Sequence, residues 1–257
     1  MGLPLFHNPD LKLPNNNQNY TITHLELYKH IILSQRRGIG SQIKLSNGLN
    51  TAGLFEIVTI KKADKTFDLK LLKTLKIPVN TPKKIIVQAL LKNKANYLAL
   101  DLMTQAGVNY IIPWQANKSI AKWQPNHLTK WQNQIITSSE QSRQLRFPTL
   151  LNPKNTEQLC KTLIKDFPSQ NNLILILQPN SQSSLTSFKK LVNQKLKTAQ
   201  KLNNIIFIVG PEGGIAETEI KQLSQIGGQT ISLGQNIYRS FLAGSAALIS
   251  LNSLLTN

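Results

Sequence analysis

The sequence of 257 residues predicts an α/β fold, in which a parallel sheet with packed helices follows a small β-barrel. From Ile85 onward, short apolar runs alternate with helical stretches, which is the pattern of a parallel α/β sheet. Before that point, apolar and polar residues alternate around turn residues, as in half-buried strands. The stretch IPVNTPKK, with Pro78 and Pro82, interrupts both patterns. We therefore expect one domain over residues 1–75 and a second over residues 76–257.

The strands expected in the first domain surround the Asn47-Gly48 dipeptide. SQIKLSNGLNTAGLFEIVTI alternates apolar and polar residues on both sides of this dipeptide, which favours a type I′ hairpin. TFDLKLLKTL continues the alternation through Phe67, Leu69 and Leu71. A small antiparallel barrel is the simplest interpretation.

The second domain has five apolar runs that predict buried strands: IIVQALL, NYIIPW, NLILIL, IIFIV and QTISL. Between them we expect helices near 94–106, 126–144, 155–167, 184–200 and 216–226. Asn155 followed by Gln158 predicts a capping box, and Gly227-Gly228 predicts a helix end. Ser and Asn residues interrupt FLAGSAALISLNSLL at 241–255, so this segment predicts a packed helix rather than a membrane span.

The charge of the chain points to a polyanionic partner. Thirty Lys and Arg residues against twelve Asp and Glu give a net charge of +18. Residues 76–203 hold eighteen basic and four acidic residues, whereas residues 204–257 hold two and three. Nucleic acid is the usual partner of such a basic domain, and a basic protein without one is the alternative.

The cysteine and histidine content predicts neither a disulfide nor a metal site. Cys160 is the single cysteine, which excludes an internal disulfide and fits a reducing cytoplasm. His24 and His30 are six residues apart, and no acidic cluster joins them. The first residues lack the basic and apolar regions of a secretory signal. We expect a cytoplasmic protein without a membrane segment.

The segment IIFIVGPEGG at 205–214 runs a buried strand directly into a glycine-rich loop. No Gly-Lys-Ser/Thr follows and the spacing is not GxGxxG, which disfavours phosphate-loop and dinucleotide binding. By itself the loop is equally explained as a tight turn into the next helix. A second strand-loop-helix junction, SLGQNIYRSFLAGSAALI, follows in the sequence. Ligands of parallel sheets bind at the carboxyl ends of strands, where both loops are expected.

These two junctions, together with SSEQSRQLRFPTL and HIILSQRRG, resemble the RsmE family of methyltransferases. Members of that family methylate uridine N3 in small-subunit (16S) ribosomal RNA with S-adenosylmethionine. The resemblance implies a PUA-like RNA-binding β-barrel and a SPOUT-type methyltransferase domain with a C-terminal trefoil knot. It also implies a homodimer and binding to the small ribosomal subunit.

The resemblance implies that S-adenosylmethionine lies between the two loops. Glycines in the first loop would let the main chain approach the adenine, and apolar residues in the second would form the opposite wall. Glu212 would favour the sulfonium cation, or serve only to hold the loop. The cofactor-binding residues implied are Gly210, Glu212, Gly213, Gly214, Leu233, Gly234, Ile237 and Tyr238.

The resemblance assigns the catalytic role to Arg239. Uridine N3 becomes a nucleophile when it loses its proton, and a guanidinium beside O2 or O4 would stabilise the anion. An ion pair with Glu212 or a phosphate contact is the alternative for Arg239. The residues expected to contact RNA phosphates are Arg36, Arg37, Lys92, Arg143 and Arg146.

Several positions depart from the family pattern. Phe241 replaces a carboxylate, Asn236 replaces a basic residue, and Ala216 replaces a serine helix cap. The changes leave the cofactor loops largely intact and concentrate where the target base would lie. Two alternatives therefore stay open: a paralogue that methylates another RNA site, and a non-catalytic RNA-binding or ribosome-assembly protein.

Overall fold

The computed structural model describes residues 2–14, 18–79, 81–92, 94–167, 172–179, 181, 189–190, 192, 194 and 202–255. It separates into two compact units. The first contains residues 1–79 with 136–147, and the second contains residues 80–135 with 148–257. The domain division expected after residue 75 stays a prediction, to which the structure adds that residues 136–147 group with the first unit.

The first unit is built on a five-stranded sheet in its described part. Its strand order is β1-β3-β4-β5-β2, and β1 runs parallel to β3 while the other neighbours are antiparallel. The sheet is therefore mixed rather than purely antiparallel, and its closure into a barrel stays a prediction. The elements are β1 (Leu5–His7), β2 (Asn19–Ile22), α1 (Leu25–Tyr28) with a π-helical turn (Lys29–Ser34), β3 (Gln42–Ser46), β4 (Ala52–Lys61) and β5 (Thr66–Thr74).

The alternation in β5 is confirmed, because Phe67 and Leu69 are fully buried and Leu71 packs against the same core. The two-residue turn predicted at Asn47-Gly48 is wrong, since residues 47–51 form a longer loop between β3 and β4. Asn47 Oδ1 accepts hydrogen bonds from the main-chain N of three residues of this loop, at 2.9–3.0 Å. The side chain satisfies the loop's N–H groups, so a tight turn is not required.

Residues 136–147 are held to the strands of the first unit by hydrogen bonds. His7 N donates to Glu140 Oε1 at 2.7 Å, and Ser46 Oγ donates to the Leu145 carbonyl at 2.5 Å. Burial raises the pKa of the Glu140 carboxyl and lowers the pKa of the His7 imidazole. Residues 140–147 of the EQSRQLRFP stretch are therefore part of the first unit.

The second unit contains a six-stranded sheet in its described part, with strand order β11-β9-β10-β6-β7-β8 and all neighbours parallel. The five predicted strands and four of the five predicted helices are confirmed, and the helix expected near 184–200 lies largely outside the described residues. The elements are β6 (Lys83–Ala89), α2 (Ala95–Gln105), β7 (Tyr110–Trp114), α3 (His127–Ser142), β8 (Thr149–Leu150), α4 (Thr156–Asp166), β9 (Asn172–Leu177), β10 (Asn204–Val209), α5 (Glu217–Gln225), β11 (Gly228–Ile231) and α6 (Ser240–Leu255).

The parallel sheet is buried on both faces, which explains the continuous apolar runs of its strands. In β10, Ile205 and Phe207 face the core covered by α2 and α6, and Ile206 and Ile208 face the core covered by α4 and α5. Helix α6 packs closely through Gly244, where a Cβ would lie 3.1 Å from Met103 Sδ. In the described residues, no helix has both the length and the apolarity needed to cross a bilayer.

Two predicted helix ends are confirmed. Asn155 Oδ1 accepts from Gln158 N at 2.9 Å and Gln158 Oε1 accepts from Asn155 N at 3.1 Å, which completes the capping box of α4. Helix α5 ends at Gln225, shortly before Gly227. Gly228 is already part of β11.

Candidate active site

A pocket of about 530 Å³ lies at the carboxyl ends of three neighbouring strands, β9, β10 and β11. Its walls are formed by residues at or directly after the end of each strand: 177–179 at β9, most of 210–215 after β10, and most of 232–241 after β11. Its volume is in the range of sites for small organic ligands. The position agrees with the rule that ligands of parallel sheets bind beyond the carboxyl ends of the strands.

The glycine-rich loop after β10 needs its glycines for two reasons. Gly214 N donates to the Pro211 carbonyl at 2.9 Å, and Gly214 has φ +74°, a conformation that favours glycine. At Gly210 a Cβ would lie 2.6 Å from Ile215 Cγ1, so the main chain and Ile215 approach closely. The tight loop holds its main chain against the pocket.

The start of α5, directly after this loop, is anchored by Glu219, which is only 1% exposed. Its Oε1 accepts from Asn117 N at 2.9 Å and from Thr156 Oγ1 at 2.6 Å, and its Oε2 accepts from Ala216 N at 3.2 Å. Ala216 has no side chain that caps the helix, in agreement with the missing serine. The carboxylate of Glu219 therefore stabilises this helix start in place of a serine cap.

The second wall is the loop between β11 and α6. Ile237 and Tyr238 line the pocket and are 73% and 41% exposed. Arg239 lies directly before α6, and its carbonyl accepts from Leu242 N and Ala243 N at 2.8 and 3.0 Å. Arg239 also lines the pocket and is exposed.

The pocket brings together most of the residues selected from the sequence as cofactor-binding or catalytic. Gly213 and Gly234 belong to the same loops but do not line the cavity, and a Cβ at Gly213 would lie 3.4 Å from Lys118 Cβ. Their roles in binding stay predictions, as do those of the lining residues. The selected residues that line the pocket are Gly210, Glu212, Gly214, Leu233, Ile237, Tyr238 and Arg239.

Glu212 and Arg239 are the two charged residues of the pocket lining. Glu212 is exposed, and its Oε1 accepts from the main-chain N of Lys92 at 3.2 Å. The described residues contain no ion pair between Glu212 and Arg239. The ion pair considered as an alternative role for Arg239 is thus not seen here, and the catalytic role and the phosphate contact both stay predictions.

Phe241 lines the pocket and packs against the core between the sheet and helices α2 and α6. The position where the resembled family has a carboxylate is thus an apolar wall. The pocket is also lined by three residues that were not predicted from the sequence, Leu177, Gln178 and Pro179. A strand that ends in Gln-Pro is a signal for a loop, but only the order β11-β9-β10 places this loop beside the others.

The four arginines expected to contact RNA belong to the first unit. Arg36, Arg143 and Arg146 are exposed, and Arg143 ends helix α3 with φ +57°. Arg146 Nε donates to a carbonyl of the 47–51 loop at 3.1 Å. Arg37 is half-buried, and its Nε has no hydrogen-bond partner among the described residues. Lys92 is exposed and lies in the second unit.

In the described part of the chain, no group of three His, Cys, Asp or Glu side chains is placed to hold a metal ion. Cys160 is half-buried, and burial raises the pKa of its thiol. The lone thiol of Cys160 is therefore a weak nucleophile.

Comparison with known proteins assigns the family. A family model described as RNA methyltransferase domain matches residues 79–252, which is more than half of the chain. The ribosomal RNA small subunit methyltransferase E of Mycobacterium bovis is 25% identical over 223 residues, covering 85% of this chain and 80% of that protein. The protein of the same name from Mesomycoplasma hyopneumoniae is 31% identical over 166 residues, covering 63% and 66%.

Among solved structures, a protein of the same name as these relatives has a similar fold. The crystal structure of a ribosomal RNA small subunit methyltransferase E from Neisseria gonorrhoeae, bound to S-adenosyl methionine, matches with a TM-score of 0.82. The match covers 98% of each chain at 21% identity, so this likeness is one of fold. Together with the match of the family model, which includes every loop of the pocket, these findings confirm the resemblance seen in the sequence: the chain belongs to the RNA methyltransferase domain family.

Proposed function

We propose that this protein transfers a methyl group from S-adenosylmethionine to uridine N3 of small-subunit ribosomal RNA. The observation that carries the proposal is the pocket at the ends of β9, β10 and β11, which is lined by both loops selected from the sequence. The relatives named above are small-subunit ribosomal RNA methyltransferases, and the Neisseria structure is bound to S-adenosyl methionine. Both facts support this choice of substrate and cofactor.

The residues of the pocket fit S-adenosylmethionine, which supplies an activated methyl group when bound. Leu233, Ile237 and Tyr238 offer an apolar and aromatic wall for a purine ring. The main chain at Gly210 and Gly214 lines the pocket without side chains in the way. The ligand has no phosphate, which agrees with a loop that has neither phosphate-binding motif.

Arg239 supports the choice of an imide such as uracil as the target. Removal of the N3 proton leaves negative charge on N3 and on the two ring carbonyl oxygens. A guanidinium in the pocket lining, free of an ion pair in the described residues, stabilises that charge. A base methylated to a cationic product, such as adenine at N1, would instead be repelled by Arg239.

The basic surface is proposed to bind the phosphates of ribosomal RNA. Arg36, Arg143 and Arg146 expose their side chains on the first unit, and Lys92 does so on the second. The net charge of +18 supplies the long-range attraction. Arg37 completes the proposed set, because its Nε lacks a partner in the described structure.

We extend the proposal to the finer features that the family resemblance implies. These are a PUA-like barrel over residues 1–75, a SPOUT-type domain over residues 76–257 with a C-terminal trefoil knot, a homodimer, and a cytoplasmic location. The parallel sheet with the pocket at its carboxyl edge is consistent with such a domain. A dimer would also be able to supply residues to the pocket from the partner subunit.

A second candidate function is RNA binding without catalysis. Phe241 and Asn236 both line the pocket, at the positions where the resembled family has a carboxylate and a basic residue. These substitutions remove two charged groups from the proposed target site. This observation keeps a ribosome-assembly role in competition with methyl transfer.

One experiment separates these functions. Labelled S-adenosylmethionine is incubated with small ribosomal subunits that lack the uridine N3 methyl group, and any label is mapped to a nucleotide. We expect label at the 16S uridine with the wild type, none with Arg239→Ala, and wild-type labelling with Lys221→Ala, which removes an exposed cation of α5 outside the pocket.

The other outcomes are equally informative. A cofactor-induced rise in melting temperature without transfer to these subunits would indicate a different RNA target. The absence of any such rise would favour the non-catalytic function.

A further inference from the structure

We propose that Glu212 is the group that accepts the N3 proton in this site, an inference that rests on the proposed function. Among the described residues that line the pocket, Glu212 is the single carboxylate. Within the described chain, the lining contains no His, Lys or Cys side chain that would serve as an alternative base. Position 241, where the resembled family has a carboxylate, holds a phenylalanine that cannot take a proton.

The hydrogen bonds of Glu212 leave it able to act as a base. Oε1 accepts from Lys92 N at 3.2 Å, which orients the carboxylate from the loop after β6. Oε2 has no hydrogen-bond partner within the described part of the chain, so its lone pairs are open to a donor in the pocket. The side chain is exposed, so the accepted proton can leave to water after the reaction.

Glu219, seven residues later, shows what a structural carboxylate looks like in the same region. It is 1% exposed, both of its oxygens accept hydrogen bonds, and it does not line the pocket. Glu212 differs in each of these properties. The contrast assigns a structural role to Glu219 and leaves Glu212 available as the proton acceptor.

Glu212 and Arg239 have complementary tasks in the proposed step. The N3–H bond breaks, the proton moves to Oε2 of Glu212, and the electron pair stays on the base, where the charge faces Arg239. That pair forms the bond from N3 to the methyl carbon, while the bond from the methyl carbon to sulfur breaks and its electron pair stays on sulfur. Because Glu212 and Arg239 form no ion pair in the described residues, each is available to the base.

The test is the variant Glu212→Gln, which keeps an oxygen for Lys92 N and removes the basic oxygen. We expect single-turnover methyl transfer at neutral pH to fall by about 10²–10⁴-fold, the usual contribution of a general base. The rate should recover as the pH rises toward the ionisation of the imide itself. The rise in melting temperature with S-adenosylhomocysteine should be retained. Glu217→Gln, an exposed carboxylate of the first turn of α5 outside the pocket, is the matched control and should leave the rate unchanged.

The outcomes separate this inference from the proposed function. If the wild type transfers label and Glu212→Gln does so at the same rate with the same pH profile, the inference is wrong and the proposed function stands. If the variant loses the thermal shift, Glu212 binds the cofactor instead, and the inference is again overturned. A wild type that methylates no RNA overturns both.

Discussion

Gly210 is the position where the structure makes the sharpest prediction about the glycine-rich loop. In Gly210→Ala, the new Cβ would lie 2.6 Å from Ile215 Cγ1. Carbon atoms in van der Waals contact are about 3.5–4.0 Å apart, so either Ile215 or the loop must move by about 1 Å. Ile215 is 6% exposed and packs in the core between the sheet and helices α4 and α5, which leaves little room for this movement.

The expected cost follows from overpacking. Forcing an extra methyl into a packed site destabilises a protein by about 1–3 kcal/mol. Urea unfolding should show this loss in the free energy of unfolding for Gly210→Ala. Binding of S-adenosylhomocysteine should also weaken, because the loop shifts. Gly213→Ala is the matched control for the unfolding measurement, since its Cβ would have its nearest contact at 3.4 Å and is tolerated.

A double-mutant cycle isolates the clash. Ile215→Ala removes the Cγ1 atom that the new Cβ would meet, so Gly210→Ala should cost much less in that background. We expect a coupling free energy of about 1 kcal/mol or more in the direction of relief. Equal costs of Gly210→Ala in the two backgrounds, or no cost in the wild type, would refute the close-approach argument.

Four further predictions concern other parts of the chain. Glu219→Ala removes the acceptor of three hydrogen bonds and should destabilise the protein by about 3 kcal/mol or more in urea unfolding. Thr156→Val removes one of these bonds and also the acceptor of Trp114 Nε1, and should cost about 1–3 kcal/mol. Asn155→Ala removes the capping box of α4 and should cost about 0.5–2 kcal/mol, with an unchanged m-value; a neutral result would contradict the cap assignment. Burial holds the pKa of His7 below 6.5 in the folded state, so its contribution to stability is present above pH 6.5 and is lost as the pH falls through the folded pKa. The difference in unfolding free energy between the wild type and His7→Asn should therefore shrink as the pH falls over that range. A constant difference would be evidence against a buried neutral imidazole. RNA affinity should fall steeply as the salt concentration rises. Arg146→Ala should reduce the slope of the logarithm of the RNA association constant against the logarithm of salt concentration by about one, with cofactor affinity unchanged. An unaltered slope would mean that Arg146 contacts no phosphate.

The elements that depend on local interactions were predictable from the sequence. Strand β10 was predictable from its continuous apolar run, because such a run is typical of a strand that is buried on both faces. The Asn155–Gln158 cap was predictable because it is complete within four residues. The glycine-rich loop at 210–214 was predicted to bind a ligand because it follows such a strand and because a second, similar junction and the family resemblance support it; its role in binding stays a prediction. The predicted length of the hairpin turn after β3 was wrong. The Asn47 side chain accepts three hydrogen bonds within the loop, and the pattern of residues in the sequence does not reveal them.

Only the tertiary structure decided which loops share the pocket. The order β11-β9-β10-β6 places the Gln178-Pro179 exit beside the two predicted loops, although many residues separate them in sequence. It also decided that residues 136–147 pack with the first unit and that Phe241 forms a wall instead of a polar site. Strand order depends on packing summed over both faces of the whole sheet, and no local run of residues carries that information. The sequence by itself therefore determined the chemistry that each loop offers, and the three-dimensional packing determined which chemistries meet.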